Sequence, residues 1–368
     1  MNKVSFLETN VVFDNPMPHL RSRHGYFPRI AQLPSGDLLA MVVIGEAFES
    51  VDLTTHVVRS TDLGRTWQLE GPLHDKSTER VPTSDAMKPT VLRDGSLVAI
   101  GYRFFRSNPD EPIAIATTGG LQPGEDVVSF SADEGRTWTV PEVISNVCPG
   151  FAELPGPCIE TRAGDLLTFG ATFPLPDGTF PAGQYGVLLR SKDKGRHWAP
   201  QSPYFDTPGR NINPYESGAC EMQDGRIAVI VWAYDHRAGK NYPNHVVVSH
   251  DNGHSWSKPV DVGTPAESSN ILWLGGDTLL AIQCQRIGDI GLFVREVDFS
   301  GDVWRVVSET NIWGGVRAHA TDSFARQCAT MKFGQPSLLQ LTNGDILATH
   351  WCVESGQGKV LSHRLSIG

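Results

Sequence analysis

Short apolar runs, each bounded by turn residues, divide this chain into strands, and no helical periodicity lasts beyond a turn or two. Six segments share one layout: an extended run, a turn that contains glycine, and a second apolar run. Their turn glycines are Gly36, Gly95, Gly164, Gly225, Gly276 and Gly344. Successive glycines are roughly 60 residues apart, and a period of this order with about four short strands is typical of propeller blades. The pattern therefore predicts an all-β, six-bladed β-propeller.

A second pattern, Ser-x-Asp-x-Gly-x-x-Trp, follows four of the strand-like runs. Its copies span residues 60–67, 131–138, 191–198 and 249–256, and we call them the box turns. The Asp can accept backbone N–H bonds, the Gly supplies a positive φ, and the Trp ring buries a large area. The box turns are therefore predicted to be structural hairpins. They lack the further acidic ligands that a calcium loop needs.

The last two repeats depart from this pattern. The fifth keeps Asp298 and Trp304 with one extra residue between them, and the sixth ends without a fourth strand. The strand-like run from Lys3 to Phe13 has no inner partner of its own. Adding it to the last blade would close the ring and protect both edges. We predict one domain over 1–368 with this closure, and blades at roughly 14–75, 76–145, 146–206, 207–263, 264–310 and 311–368.

Composition and net charge limit the classes of binding partner that we expect. The 37 Gly and 25 Pro fit a chain with many tight turns, and the net charge of −10 argues against nucleic acid. Because no apolar stretch has the length of a signal peptide or a membrane span, we expect a cytoplasmic protein without a membrane partner. The sequence predicts no cofactor. It predicts no metal site either, because His245, His250 and His254 follow one hairpin and do not converge. It leaves the oligomeric state open.

The candidate binding residues are predicted to lie on one face of the propeller. In a propeller, the loops that enter the inner strands emerge around the axis, opposite the box turns. That face is rich in arginine within an acidic protein, and Arg29 and Lys88 lie at the same distance before their turn glycines, which predicts that both project into the channel. Asp85 is a candidate here or a partner of Lys88. The expected substrate-binding residues are Arg23, Arg29, Asp85, Lys88, Tyr215, Arg237, Arg286, Arg317, His319 and Gln335.

The four box turns on a six-unit period, with the segment GYFPRIAQLPSGDLLA, resemble the sialidase superfamily of BNR-repeat propellers over nearly the whole chain. The segment YESGACEMQDGRIAV is similar to the sialidase stretch Asn-Glu-Ser followed by Glu-Leu-x-Asp-Gly-Arg. The resemblance implies that Glu216 stands where those enzymes place the glutamate that polarises their catalytic tyrosine. It also implies Asp52 as an acid/base candidate, with Glu46 and Glu49 competing for that role.

Three positions depart from the sialidase pattern. The tripeptide 26–28, Tyr-Phe-Pro, replaces the Arg-Ile-Pro motif, and Trp232 stands at the second arginine position. Gln335 occupies the position of the nucleophilic tyrosine. Since two of the three carboxylate-binding arginines and the nucleophile are replaced, sialidase chemistry by the usual route is not expected.

Two glutamates remain in corresponding places on adjacent blades, Glu153 before the inner strand of blade three and Glu216 in that of blade four. Neighbouring inner strands would bring them within the roughly 5 to 10 Å that two carboxyls need to flank a glycosidic bond. This arrangement resembles the exo-arabinanase branch of six-bladed propellers. We therefore expect an exo-acting glycoside hydrolase for a terminal, possibly anionic, sugar of an oligosaccharide or glycoconjugate.

Two alternatives stay open. A polysaccharide lyase would use His or Tyr as base and Arg to neutralise a uronate, with His319, Arg317 and Tyr215 as candidates. A carbohydrate-binding propeller without catalysis would not require the paired glutamates.

Overall fold

The computed structural model describes residues 4–156, 158–317 and 324–368. Within them the strands form six antiparallel sheets of four or five strands and one small two-stranded sheet. Strands of neighbouring sheets contact one another around a closed ring. The predicted six-bladed, all-β propeller is confirmed.

The elements follow in chain order. The N-terminal strand is β1 (Val4–Phe13). Blade one contains β2 (His24–Gln32), β3 (Leu38–Gly45), β4 (Thr54–Ser60) and β5 (Gln68–Pro72). Blade two contains β6 (Thr83–Val91), β7 (Leu97–Phe105), a small hairpin of β8 (Ala114–Ile115) and β9 (Gly120–Leu121), then β10 (Gly124–Ser131) and β11 (Glu142–Val143). Blade three contains β12 (Ala152–Glu153), β13 (Ile159–Glu160), β14 (Leu166–Thr172), β15 (Gly186–Ser191) and β16 (Ala199–Pro200).

The second half continues the same order. Blade four contains β17 (Ile212–Glu221), β18 (Ile227–Asp235), β19 (Lys240–Asn241), β20 (His245–Ser249) and β21 (Val260–Asp261). Blade five contains β22 (Ser269–Gly275), β23 (Thr278–Gln285), β24 (Gly291–Asp298), a 3-10 turn (Ser300–Asp302) and β25 (Arg305–Trp313). Helix α1 (Phe324–Thr330) precedes blade six, which contains β26 (Phe333–Gln340), β27 (Ile346–Glu354) and β28 (Gln357–Ile367).

The N-terminal strand closes the ring as predicted. Strand β1 pairs antiparallel with β28 from Val4 opposite Ile367 to Phe13 opposite Val360, and becomes the outer strand of blade six. Residue Lys3, the predicted start of this strand, lies outside the described residues. Closure matters because an unpaired β28 would present a free edge for aggregation.

The core lies between the blades. Each pair of neighbouring blades shares a cluster of buried apolar side chains, such as Leu38, Leu347 and Trp351 between blades one and six. The central strands β3 and β18 are almost entirely buried, which explains why they read as continuous apolar runs.

The box turns have the hydrogen bonds that their residues predict. In the first, Ser60 Oγ accepts from the Gly64 N–H (2.8 Å) and Asp62 Oδ1 from the Thr66 N–H (2.9 Å). Trp67 Nε1 donates to the Gly64 carbonyl (3.0 Å). The other three copies repeat the serine and aspartate bonds. Among the described residues, no helix is long and apolar enough to cross a membrane.

Candidate functional site

Three inner strands share a bulge at the same position. Phe27, Glu216 and Gln335, which we call the bulge residues, have φ values of 50°, 47° and 39°. At each one the pairing register with the next strand shifts. A non-glycine residue in this left-handed region costs roughly 1–2 kcal/mol, and such residues occur both at tight turns and at functional sites. All three side chains line one cavity, so the bulges re-aim them toward the axis.

The structure brings the two predicted glutamates together. Glu153 ends β12, is 5% exposed, and its Oε2 accepts a hydrogen bond from the Glu216 N–H at 2.9 Å. Burial raises the pKa of the Glu153 carboxyl well above its ordinary value, and the nearby Glu216 raises it further. The contact therefore places two carboxyls from adjacent blades in one buried site.

Glu216 has a different environment. Burial raises the pKa of its carboxyl, but the Arg286 guanidinium and hydrogen bonds from Ser268 and Gln335 lower it in part. Its Oε2 is buried without a hydrogen-bond partner among the described residues. Environments that treat two close carboxyls differently favour one protonated and one ionised group. Glu153 is the better placed of the two to hold the proton.

The cavity above the pair, which we call the upper cavity, has a volume of about 120 Å³ and mostly apolar walls. Blades one to four, helix α1 with the residue after it, and Gln335 of blade six supply its lining. Its aromatic wall consists of Phe27, Phe48, Tyr102, Phe104, Phe173, Tyr215 and Trp232. Tyr215 has its hydroxyl 2.6 Å from His236 Nε2.

Asp52 is not brought to the glutamate pair. Its carboxylate accepts from the Glu46 N–H (3.0 Å) and the Ser50 hydroxyl, and it lines a separate cavity beside Arg23. Glu49, from the same loop, lines the upper cavity instead, and burial raises the pKa of its carboxyl. The loop residue near the pair is therefore Glu49, which the sequence left as a competitor.

Asp85 also has a structural partner that the sequence did not indicate. It borders the upper cavity but forms an ion pair with Lys76 and accepts the Thr55 N–H at 2.8 Å. Burial opposes ionisation, yet these contacts hold the pKa of Asp85 below its ordinary value. Its ion-pair partner is Lys76 and not Lys88, and its role in substrate binding stays a prediction.

Arg286 is close to the pair but is already neutralised. It forms a buried ion pair with Glu267, and its Nε donates to the Phe333 carbonyl at 2.9 Å. Glu267 stands nine residues before Gly276, the same interval that separates Glu216 from Gly225. That interval was the signal that could have found Glu267 from the sequence.

The remaining predicted residues divide among several places. Gln335 lines the upper cavity, whereas Arg29 and Lys88 line a smaller cavity below it. Arg237 and Arg317 are exposed and line none of the cavities described here. His319 lies outside the described residues.

Comparisons with known proteins support the fold. The chain is similar to a protein of unknown function from Dyadobacter fermentans (TM-score 0.75, 19% identity, 99% of each chain covered). It is also similar to a Penicillium chrysogenum α-L-arabinanase complexed with arabinobiose (TM-score 0.66, 18% identity, 98% of each chain). A third similar structure is the Hadza microbial sialidase Hz136 (TM-score 0.65, 18% identity, 92% of this chain and 65% of the sialidase). No protein-family model and no curated protein sequence matches the chain.

Proposed function

We propose that this protein is an exo-acting glycoside hydrolase that removes a terminal sugar with the carboxyl pair Glu153 and Glu216. The observation that carries the proposal is the contact between these two residues at the base of a buried cavity. Two carboxyls flanking the scissile bond are the usual requirement of glycoside hydrolysis. Glycosidases of similar fold, among them the arabinanase and the sialidase, make this chemistry a natural one for the scaffold.

The two environments assign the roles. Glu153, whose pKa is raised most clearly, is the general acid that protonates the leaving oxygen. Glu216, near the Arg286 guanidinium and two hydrogen-bond donors, is the carboxylate that attacks the anomeric carbon or activates water. Gln335 then acts as a positioning residue, because its side chain hydrogen-bonds to Glu216.

The upper cavity suits the end of a sugar chain. Aromatic rings such as Phe173 and Trp232 offer apolar faces for a sugar ring, and Glu216 and Gln335 lie between this cavity and the smaller one below. A cavity with its reacting groups at the base admits a chain end, which favours exo cleavage. None of its described lining residues is Arg or Lys, so the chemistry favours a neutral sugar over a sugar carboxylate.

The lyase alternative has less support. Tyr215 and His236 form a close pair that could serve as a base, but lyase chemistry also needs a cation to neutralise a uronate. Arg286, whose charge acts on Glu216, is already paired with Glu267.

The test is a screen of aryl glycosides and oligosaccharides, covering furanosides, pyranosides and sialosides, with wild type and Glu216→Gln. We expect wild type to release one terminal sugar from at least one neutral substrate, and Glu216→Gln to lose about 100-fold or more of that rate. Glu221→Gln is the matched control, because Glu221 lies on the same strand and accepts the Arg162 N–H far from the cavity. An unsaturated product would indicate a lyase, and binding without turnover would indicate a carbohydrate-binding protein.

A further inference from the structure

Beneath the glutamate pair lies a second cavity on the propeller axis, which we call the axial cavity. Glu216 and Gln335 line both cavities and so separate them. Below them the inner strands contribute Arg29, Lys88 and Asn270. The axial cavity has a volume of about 30 Å³. About 10–15 Å³ is enough for one water, so this space fits a single small ion or one to two waters.

The two cations of the axial cavity lack a full set of partners. Lys88 is 4% exposed, and its Nζ donates to the Phe27 carbonyl, which leaves two N–H groups. The Arg29 side chain is partly buried and has no hydrogen bond or ion pair within the described part of the chain. Burial lowers the pKa of Lys88 to about 7 and that of Arg29 to about 10. At Lys88 the carboxylates of Glu216 and Asp85 offset this effect only in part, and the Arg29 charge adds to it.

The charges around the axis do not balance. Arg286 is paired with Glu267, and Asp85 is paired with Lys76. Burial and the nearby Glu216 raise the pKa of the Glu153 carboxyl, which favours its protonated, uncharged form. Glu216 is then the one carboxylate left for Arg29 and Lys88 in the described residues around the cavity, so this group is one negative charge short whenever Lys88 is protonated. Burying an uncompensated charge is strongly unfavourable.

The polar side chains around the cavity leave room for an anion. The hydroxyls of Ser217, Ser269 and Ser337 are already bonded to Phe169, Asn244 and Thr349. Asn270 is 6% exposed, and its side-chain oxygen is buried without a hydrogen-bond partner among the described residues. Its amide is therefore not committed to another protein group, and a rotated amide presents its NH₂ donors to the cavity.

We propose that the axial cavity binds one monovalent anion of about the size of chloride, held by Arg29, Lys88 and the amide of Asn270. The anion completes the charge of the two cations directly below Glu216. Its size limit follows from the cavity volume, which excludes polyatomic anions as large as gluconate.

The direct test is crystallography of the full chain in sodium bromide, with diffraction data collected at the bromine absorption edge. We expect an anomalous peak between Arg29 and Lys88. A fully ordered cavity without such a peak at high bromide concentration would overturn the proposal.

A solution measurement gives a second readout. Thermal unfolding of wild type is compared in sodium bromide, sodium chloride and sodium gluconate at equal ionic strength. An anion that binds only the folded state raises the melting temperature in a saturable way, so both halides should stabilise relative to gluconate. Equal melting temperatures in all three salts would contradict the proposal.

Arg29→Met removes the unpaired cation and keeps a side chain of similar length. Its melting temperature should no longer depend on halide, whereas the exposed-arginine control Arg237→Met should keep the wild-type dependence. If Arg29→Met does not fold, Lys88→Met and the wild-type salt series still decide the question. A halide effect that persists unchanged in the Arg29 and Lys88 variants would place the anion elsewhere. Neither readout uses turnover, so these results are independent of the proposed hydrolase activity.

Discussion

The box turns and the bulges both recur around the ring, but the box turns repeat their side chains, whereas the bulges repeat only their backbone conformation. Each box turn keeps the same Ser, Asp, Gly and Trp and the same serine and aspartate hydrogen bonds. Each bulge keeps the same backbone, a positive φ and a register shift, while its side chain changes among Phe27, Glu216 and Gln335. A repeat that preserves side chains serves folding. The box turns also contain one non-glycine residue with positive φ each, but only the bulge residues line the upper cavity, so their varied side chains are available for function.

The largest expected effect concerns blade six, which has a bulge on its inner strand but no box turn. Blade six lacks a box turn and takes its outer strand from the N-terminus. Deleting residues 1–13 exposes the edge of β28 and removes Val12 and Phe13 from the core, so the protein should aggregate or melt far lower. Size-exclusion chromatography and thermal unfolding measure this. Adding the 1–13 peptide should restore part of the stability, and a truncated protein as stable as the full chain would contradict the closure.

The same blade contains a histidine pair that the boxed blades lack. His350 Nδ1 donates to the Trp351 carbonyl, which directs His363 Nε2–H to His350 Nε2 (3.0 Å) and the Thr9 hydroxyl to His363 Nδ1 (2.8 Å). Of the flanking charges, Arg364 forms ion pairs with both Glu8 and Asp345. We call these side-chain bonds the histidine clamp. The clamp adds to the β1–β28 backbone pairing, and it can form only while both rings are neutral.

This clamp predicts a pH dependence. Burial lowers the pKa of His363 from 6.5 to about 4, so the unfolded state binds more protons in this window. Stability should fall as pH drops from 6.5 to 4, with His363 contributing about 3 kcal/mol. His363→Gln should flatten this slope in denaturant unfolding, and the exposed control His254→Gln should not. An unchanged slope in His363→Gln would show that this histidine does not drive the acid sensitivity.

The box turns should respond through stability alone. Trp67→Ala should cost about 2–3 kcal/mol, below the 3–5 of a fully buried aromatic, because Trp67 is only partly buried. The exposed control Arg65→Ala should cost less than about 0.5 kcal/mol. Chemical denaturation measures both. Loss of activity at full stability would instead connect the box face with the site.

At a bulge residue, replacement by glycine should be less destabilising than replacement by alanine, which is the reverse of the usual order in a strand. Gln335 has a φ of 39°, so Gln335→Gly should be about 1 kcal/mol more stable than Gln335→Ala. The control is Gln340, an exposed residue of the same strand, where Gly should be less stable than Ala by about 0.5–1 kcal/mol. The same order at both positions would mean that the bulge stores no strain.

The sequence reached the fold because its signals are local and repeated: turn glycines, box turns and apolar runs. It reached Glu216 through a local motif and Glu153 through its matching place on the next blade. Asp52 was misplaced because its carboxylate bonds within its own loop, a short-range choice that spacing does not reveal. Arg29 and Lys88 line the cavity below the site from equivalent positions on neighbouring inner strands, each seven residues before its turn glycine. The aromatic wall comes from strands and loops of four blades, and no single pattern connects them.

The central claim is that the pair of glutamates performs hydrolysis in two distinct roles. Its most direct test is the turnover of Glu153→Gln and Glu216→Gln on a natural oligosaccharide and on an aryl glycoside with a good leaving group, with and without azide. Both variants should lose about 100-fold or more on the oligosaccharide while keeping wild-type stability. Glu153→Gln should still cleave the aryl glycoside, whose leaving group needs no proton, and Glu216→Gln should stay slow unless azide replaces its carboxylate. Wild-type rates for both variants on both substrates would contradict the account.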